Sequence, residues 1–308
     1  MNWLFVFVLS LQVSGVWGLL SADHRTRLTN LTLGHSAISS TAAVEVKPTL
    51  SGLELPVGVG GASRPNLSAG TAVYALDVDS GAVLYSAGAA EPRPIASTTK
   101  LITALVILSE HDPNERVTVP TLPAYPGDAE IVGLVPGENY SLIDLIRLML
   151  IASDNDAADA LALSDSGSIA AFAAKMNAKL TEWGITGARF SNPSGLTDTG
   201  NAAGAEAMAR ISLLALRQPL IRETVAKQTV DVTSASGRNI VQKTTDDLLS
   251  TGQFYGIKTG YTGAAGQCFV GLTKVSGHEV ITVVLGSDDR FGETRRLATW
   301  ISQNYQWF

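Results

Sequence analysis

The sequence predicts an α/β fold, with strands at both ends of the ordered region and helices between them. Three observations carry this. "TAVYALDVDSGAVLYSAG", residues 71–88, is two β-rich runs around Asp79-Ser80-Gly81, a hairpin signal. "QCFVGLTKV" and "EVITVVLG" form a second hairpin through Ser276-Gly277-His278, far along the chain. The stretch between them reads as successive helices. That order suggests one sheet assembled from both ends, with a helical insertion spanning roughly 110–225.

Taken in order, the chain opens on an apolar run from Trp3 to Leu20, with small residues at Gly18 and Ala22. Residues 1–22 resemble an export signal, although no Lys or Arg precedes the run. The run is also nearly long enough to stay as a membrane anchor. Export to a periplasm or to the extracellular wall is therefore expected, with residues 3–20 either cleaved or retained. Residues 23–69 are rich in Gly, Ser and Pro and read as a linker. Residues 70–308 form the expected domain.

Within it, "ASTTKLITALVILSEH" places Leu101, Ile102, Leu105, Val106 and Leu108 at helical spacing, apolar on most faces. Such a helix belongs at the centre of a domain. Leu142 to Ile151 is a second apolar helix, broken at Ser153-Asp154-Asn155 before an Ala-rich helix. "SIAAFAAKMNAKLTEWG" is another, stopped at Gly184, and "AEAMARISLLALRQPLIRE" a further one, ended near Pro219. "FGETRRLATWISQNY" closes the chain as an amphipathic helix.

Composition excludes several functions. Apolar residues are 45% and charged residues 16% of 308, enough for a real core and too apolar for disorder. The net charge of −6 argues against nucleic acid as a partner. Cys268 is the lone cysteine, which removes internal disulfides and multi-cysteine zinc sites. His24, His35, His111 and His278 lack ligand spacing, so neither metal nor cofactor is implied.

Three short stretches could carry chemistry. Ser97 and Lys100 lie three apart at a helix start, so they share a face. A buried lysine there can lose its proton and act as a base. Alone, the pair reads as an N-cap serine with a solvated lysine. Ser153-Asp154-Asn155 could equally be a capping cluster. "GIKTG", residues 256–260, looks first like a phosphate loop, but Ile257 precedes Lys258 and strand-like sequence follows. Nucleotide binding fails on both grounds. Lys258-Thr259-Gly260 reads instead as a strand with ammonium and hydroxyl directed to one place, and with Gly260 leaving room for a substrate backbone.

Together, S-x-x-K, S-x-N and K-T-G in that order are a set shared by penicillin-binding proteins and serine β-lactamases. The chain resembles the D-alanyl-D-alanine carboxypeptidase family of low-molecular-mass penicillin-binding proteins. "EPRPIASTTKLITALVIL", "GLVPGENYSLIDLIRLMLIASDNDAADALA", "FSNPSGL" and "GIKTGYTGAAGQCFVGL" carry the likeness, which runs from about Thr71 to Trp300. The resemblance implies a β-lactamase/transpeptidase-like fold, an antiparallel sheet flanked by helices with an all-helical subdomain inserted.

It also implies roles. Ser97 would be the acylated nucleophile, Lys100 its base and Ser153 a proton relay. Asn155 would bind the substrate backbone, Lys258 would tune the field, and Thr259 would hold the terminal carboxylate. Backbone N–H groups of Ser97 and Tyr261 would form the oxyanion hole. Arg290 is the nearest candidate for the family's carboxylate-binding arginine. Asp246 stands where an asparagine is expected. The implied partners are peptidoglycan stem peptides, with β-lactams as inhibitors. The C-terminal β-rich domain and membrane helix of some members are not expected here, and members without them include D,D-endopeptidases. A class A β-lactamase would need a glutamate after S-x-N in a Glu-x-x-x-Asn pattern, which the sequence lacks. A penicillin sensor would acylate without turnover.

Overall fold

The computed structural model describes residues 53–59, 63–196 and 200–308. The expected leader, residues 1–22, and most of the expected linker lie outside the described residues. The described residues belong to one unit, 47–308.

The central sheet has five strands: β1 (Ala72–Asp77), β2 (Val83–Ala87), β3 (Phe254–Thr262), β4 (Gly266–Val275) and β5 (His278–Ser287). Their order is β3-β4-β5-β1-β2, every neighbouring pair antiparallel. The two expected hairpins meet through β1 and β5, in register from Val280 opposite Asp77 to Leu285 opposite Ala72. The antiparallel sheet flanked by helices is thus built from both ends of the chain.

Seven helices follow in chain order: α1 (Lys100–Leu108), α2 (Leu142–Ile151), α3 (Asn155–Ser166), α4 (Ile169–Glu182), α5 (Ala205–Leu216), α6 (Pro219–Val225) and α7 (Arg290–Asn304), counted among the described residues. Helices α5 and α7 cover opposite faces of the sheet. Side-chain alternation along β1 shows it: Ala72, Tyr74 and Leu76 enter the main core, while Val73 and Ala75 join Leu297 and Ile301 of α7. Strand β1 is therefore buried along its whole length.

Helix α1 is central, as its all-round apolarity predicts; Lys100 to Ile107 are all buried. Burying a leucine or isoleucine contributes about 1.5–3 kcal/mol, and α1 carries Leu101, Ile102, Leu105 and Ile107. A lysine at its first position is then held in the same apolar surroundings.

Four expectations differ from the structure. Pro219 does not end the fifth helix; that helix stops at Leu216, and Pro219 opens α6. Proline suits the first helical turn because its missing N–H would have no partner there. The segment 229–243 forms a separate hairpin, Thr229–Thr233 against Asn239–Lys243, which the helical reading passed over. It buries Val230, Val232 and Ile240 in the main core. The inserted region is not all-helical: Arg116–Thr118 pairs with Asn139–Ser141, and α5 returns to the sheet.

The fourth concerns the linker. Pro56–Gly58 pairs with Tyr305–Trp307, and Leu55 and Phe308 exchange backbone hydrogen bonds of 2.9 and 3.2 Å. Trp300 Nε1 donates to the Ser63 carbonyl at 2.7 Å, Arg296 Nε to that of Asn66 at 2.9 Å. Gly and Pro composition signals a linker, but main-chain groups at an edge can pair whatever the side chains, and proline is tolerated at a strand's first residue.

Candidate active site

Ser97 lies in a single 3-10 turn, Ala96–Thr99, that runs directly into α1. Ala96 has a φ of 48°, a left-handed conformation that strains a non-glycine residue and sets Ser97 on a sharp corner. Lys100 begins α1, one turn on. Its Nζ donates to Ser97 Oγ at 2.9 Å, to Asn155 Oδ1 at 2.7 Å and to the Ser194 carbonyl at 2.8 Å. The three acceptors use all three ammonium protons. Burial pushes the Lys100 pKa down to about 8, opposed by the charges of Asp154, Glu130 and Asp159. A lysine in that range is partly neutral near physiological pH and can accept a proton from Ser97.

Ser153 and Asn155 stand where α2 ends and α3 begins. Ser153 takes a φ of 60°, a second strained corner. Asp154 caps α3, its carboxylate accepting from Ala157 N at 2.6 Å and from Val132 N at 2.6 Å. Burial raises its pKa to about 7. Asn155 is already engaged. Its Oδ1 takes a proton from Lys100 and its Nδ2 donates to the Glu130 carbonyl at 3.0 Å. Asn155 thus positions the lysine. The capping reading applies to Asp154, while Asn155 reaches across to Lys100.

The opposite wall is edge strand β3. Alternation puts Lys258 and Gly260 on one side of it and Thr259 and Tyr261 on the other, so the ammonium and hydroxyl do not point to one place. Lys258 is buried, and its Nζ donates to the Thr259 carbonyl at 3.1 Å. Burial and the neighbouring Lys100 and Arg290 charges hold its pKa well below that of a free lysine. The Thr259 hydroxyl hydrogen-bonds the Thr245 hydroxyl. Gly260 leaves room for protein before any ligand: a Cβ there would lie 3.0 Å from both the Ile95 carbonyl oxygen and Ser97 N. The glycine lets β3 press against the turn that carries the serine. Tyr261 is 65% exposed, so its side chain faces solvent. Arg290 Nη1 donates to the Gly260 carbonyl at 2.9 Å, and its guanidinium lies 4.7 Å over the Phe291 ring. All nine residues expected from the sequence thus come from the Ala96–Thr99 turn, the start of α1, the α2–α3 junction, β3 and the start of α7.

One participant escaped sequence reasoning. The Ser194 carbonyl reaches Lys100 from the loop 191–195, which is docked by Thr103 Oγ1 on the Pro193 carbonyl at 2.7 Å and by Asn201, whose Oδ1 accepts from Ser191 N at 2.7 Å while its Nδ2 donates to Thr99 Oγ1 at 3.1 Å. "FSNPSGL" marked the loop, but a main-chain acceptor leaves no mark in a sequence. Asp246, in the expected asparagine position, is buried; Oδ1 accepts from Leu248 N at 2.9 Å, while Oδ2 is buried with no hydrogen-bond partner.

Comparison with known proteins bears on the family. The sequence profile described as D-alanyl-D-alanine carboxypeptidase matches residues 59–289. A D-alanyl-D-alanine endopeptidase of Escherichia coli K12 is 31% identical over 255 residues, 78% of this chain and 79% of that one. The D-alanyl-D-alanine carboxypeptidase DacF of Bacillus subtilis is 33% identical, over 69% of this chain and 56% of its own length. The crystal structure of the Streptomyces K15 DD-transpeptidase superposes with a TM-score of 0.71 at 25% identity, covering 78% of this chain and 99% of that one. By the extent of these matches, the chain belongs to the D-alanyl-D-alanine carboxypeptidase family.

Proposed function

We propose that this protein is a serine-type D-Ala-D-Ala carboxypeptidase that removes the terminal D-alanine from peptidoglycan stem pentapeptides. The observation that carries the reading is the buried Lys100 ammonium, 2.9 Å from Ser97 Oγ and with its pKa near 8. In the neutral form Lys100 takes the Ser97 proton as Oγ attacks the carbonyl between the two D-alanines. The oxyanion that forms is held by backbone N–H groups of Ser97 and Tyr261, worth about 3–4 kcal/mol for a single well-aimed donor. Ser153 passes a proton to the departing amine. Thr259, with Lys258 and Arg290 behind it, receives the substrate's terminal carboxylate. Water then releases the acyl group from Ser97. Asn155 offers its remaining amide proton to the peptide backbone. β-Lactams acylate the same serine and leave slowly.

Labelled benzylpenicillin tests this directly. Attachment to the wild-type protein and none to Ser97→Ala is expected; attachment to both, or to neither, sinks the reading. D-Alanine release from a pentapeptide separates a peptidase from a sensor that stays acylated.

A second reading has specific support. A D-alanyl-D-alanine endopeptidase of Pseudomonas aeruginosa is 31% identical across 90% of this chain and 89% of its own. Incubation with pentapeptide monomers beside cross-linked dimers, read by mass spectrometry, distinguishes loss of one alanine from conversion of dimer to monomer. We further propose export through residues 1–22, which N-terminal sequencing of the protein from a wall or periplasmic fraction checks.

A further inference from the structure

We propose that Glu130 is a specificity-determining residue that favours acyl donors bearing a free side-chain ammonium group on the residue before the two D-alanines. The inference rests on the peptidase reading and names a substrate class for it.

Glu130 sits in the loop between the strands Arg116–Thr118 and Asn139–Ser141. The first turns of α3 staple that loop down. Val132 N donates to Asp154 Oδ2 at 2.6 Å, Leu134 N to Asp156 Oδ2 at 2.8 Å, and the Tyr125 hydroxyl to Asp159 Oδ2 at 2.8 Å. Tyr125 and Val132 bracket Glu130. Its own carbonyl accepts from Asn155 N at 2.9 Å and from Asn155 Nδ2 at 3.0 Å. The backbone of Glu130 is therefore fixed beside a residue of the cleft.

Its side chain is different. The residue is exposed, and its carboxylate makes no hydrogen bond or ion pair among the described residues. Its charge nevertheless acts on Lys100, Lys258 and Arg290. Those cations come from α1, β3 and α7. Exposed, and carried by a residue whose carbonyl is bonded to Asn155, this carboxylate sits at the rim of the site that holds Ser97 and Lys100.

Balancing those cations is the plain alternative, and other groups already do it. Asp154 and Asp159 act on Lys100, and Asp246 acts on Lys258 and Arg290. All three are buried, where charge interactions are strong, whereas a hydrated carboxylate adds little. What the exposed anion does supply is direction. The deep end of the cleft is cationic and its mouth is anionic. A peptide with a terminal carboxylate and an ammonium farther back fits that field in one orientation, carboxylate inward and ammonium outward. A neutral side chain forgoes the second half of the match.

The test uses D-alanine release from two probes, Nα-acetyl-L-Lys-D-Ala-D-Ala and its Nα,Nε-diacetyl counterpart, which differ only in the ammonium charge. The wild type should show a kcat/KM about two- to fivefold higher for the charged probe, the scale of an exposed ion pair. The difference should lie in KM, not kcat, and should shrink as salt is added. Glu130→Gln should bring the ratio to unity and Glu130→Lys should invert it. Equal kcat/KM in the wild type, or the same preference in Glu130→Gln, overturns the proposal while leaving the peptidase reading intact. Release from neither probe by the wild type overturns the peptidase reading, and this proposal with it.

Discussion

The carbonyl oxygen of Ala96 lies 2.0 Å from the place where a Cβ on Gly195 would stand, and the Thr99 hydroxyl lies 2.8 Å from it. Gly195 also holds a φ of 79°. Two turns with left-handed backbone, one carrying Ser97 and one carrying the Ser194 carbonyl, are thus packed together with no room for a methyl group.

Gly195→Ala should consequently destabilise the fold by at least about 2 kcal/mol, through steric overlap and a left-handed conformation at once. It should also slow penicillin acylation, because the Ser194 carbonyl is displaced from Lys100. Gly263→Ala is the control: nothing lies within 4 Å of its Cβ position. Thermal melting and acylation rate of the two variants, side by side, decide the matter; an unchanged Gly195→Ala would refute the packing argument.

Acylation should depend on pH through Lys100. Only the neutral amine accepts a proton, and burial sets its pKa at about 8. The rate of benzylpenicillin attachment should therefore rise as pH increases through about 8 and level off above it. Lys100→Met keeps bulk and removes the base, and should lower the rate about 10²–10⁴-fold. Stopped-flow acylation from neutral to alkaline pH reads both effects.

Asp246 makes the folded state pH-sensitive in the opposite sense to a salt-bridged carboxylate. Burial raises its pKa from 3.8 to about 6, so the folded protein binds its proton more tightly than the unfolded chain. Its contribution is most favourable below 3.8 and is lost as pH rises towards 6. Asp246→Asn removes the charge and should stabilise the protein at neutral pH by on the order of 2 kcal/mol, with little change under acid conditions. Urea midpoints of wild type and variant at the two extremes provide the check, and a variant less stable at neutral pH would contradict it.

Asp154 joins the cap of α3 to the loop that carries Glu130. Asp154→Ala leaves Val132 N and Ala157 N without their acceptor and should cost about 1–3 kcal/mol. Hydrogen exchange at Val132 should accelerate, because the staple is gone. Retained protection there would show that the loop is held by other contacts.

Much of the site is legible in the sequence because it is local. Ser97 and Lys100 are one turn apart, Asp154 caps the helix that Asn155 begins, and Lys258 to Tyr261 occupy consecutive positions of one strand. The two hairpins and α1 are legible for the same reason: their signals are periodicities of two and of three to four residues. Other features depend on distant partners. The hairpin at 229–243 buries only a few alternate residues, and the strand at Pro56–Gly58 exists only because Tyr305–Trp307 lies beside it.

Residue type and spacing alone establish the sheet built from both chain ends and the serine-lysine pair at a helix start. Tertiary structure decides what surrounds that pair. It brings the Ser194 carbonyl, 94 positions away, and the Asn155 amide, 55 positions away, onto one buried ammonium. It also makes Gly260 a clearance for the Ser97 turn and pins the Glu130 main chain to Asn155. The physical reason is that hydrogen bonding to a main-chain carbonyl, exclusion of water and close backbone approach depend on where atoms converge in space, and no local pattern of side chains encodes them.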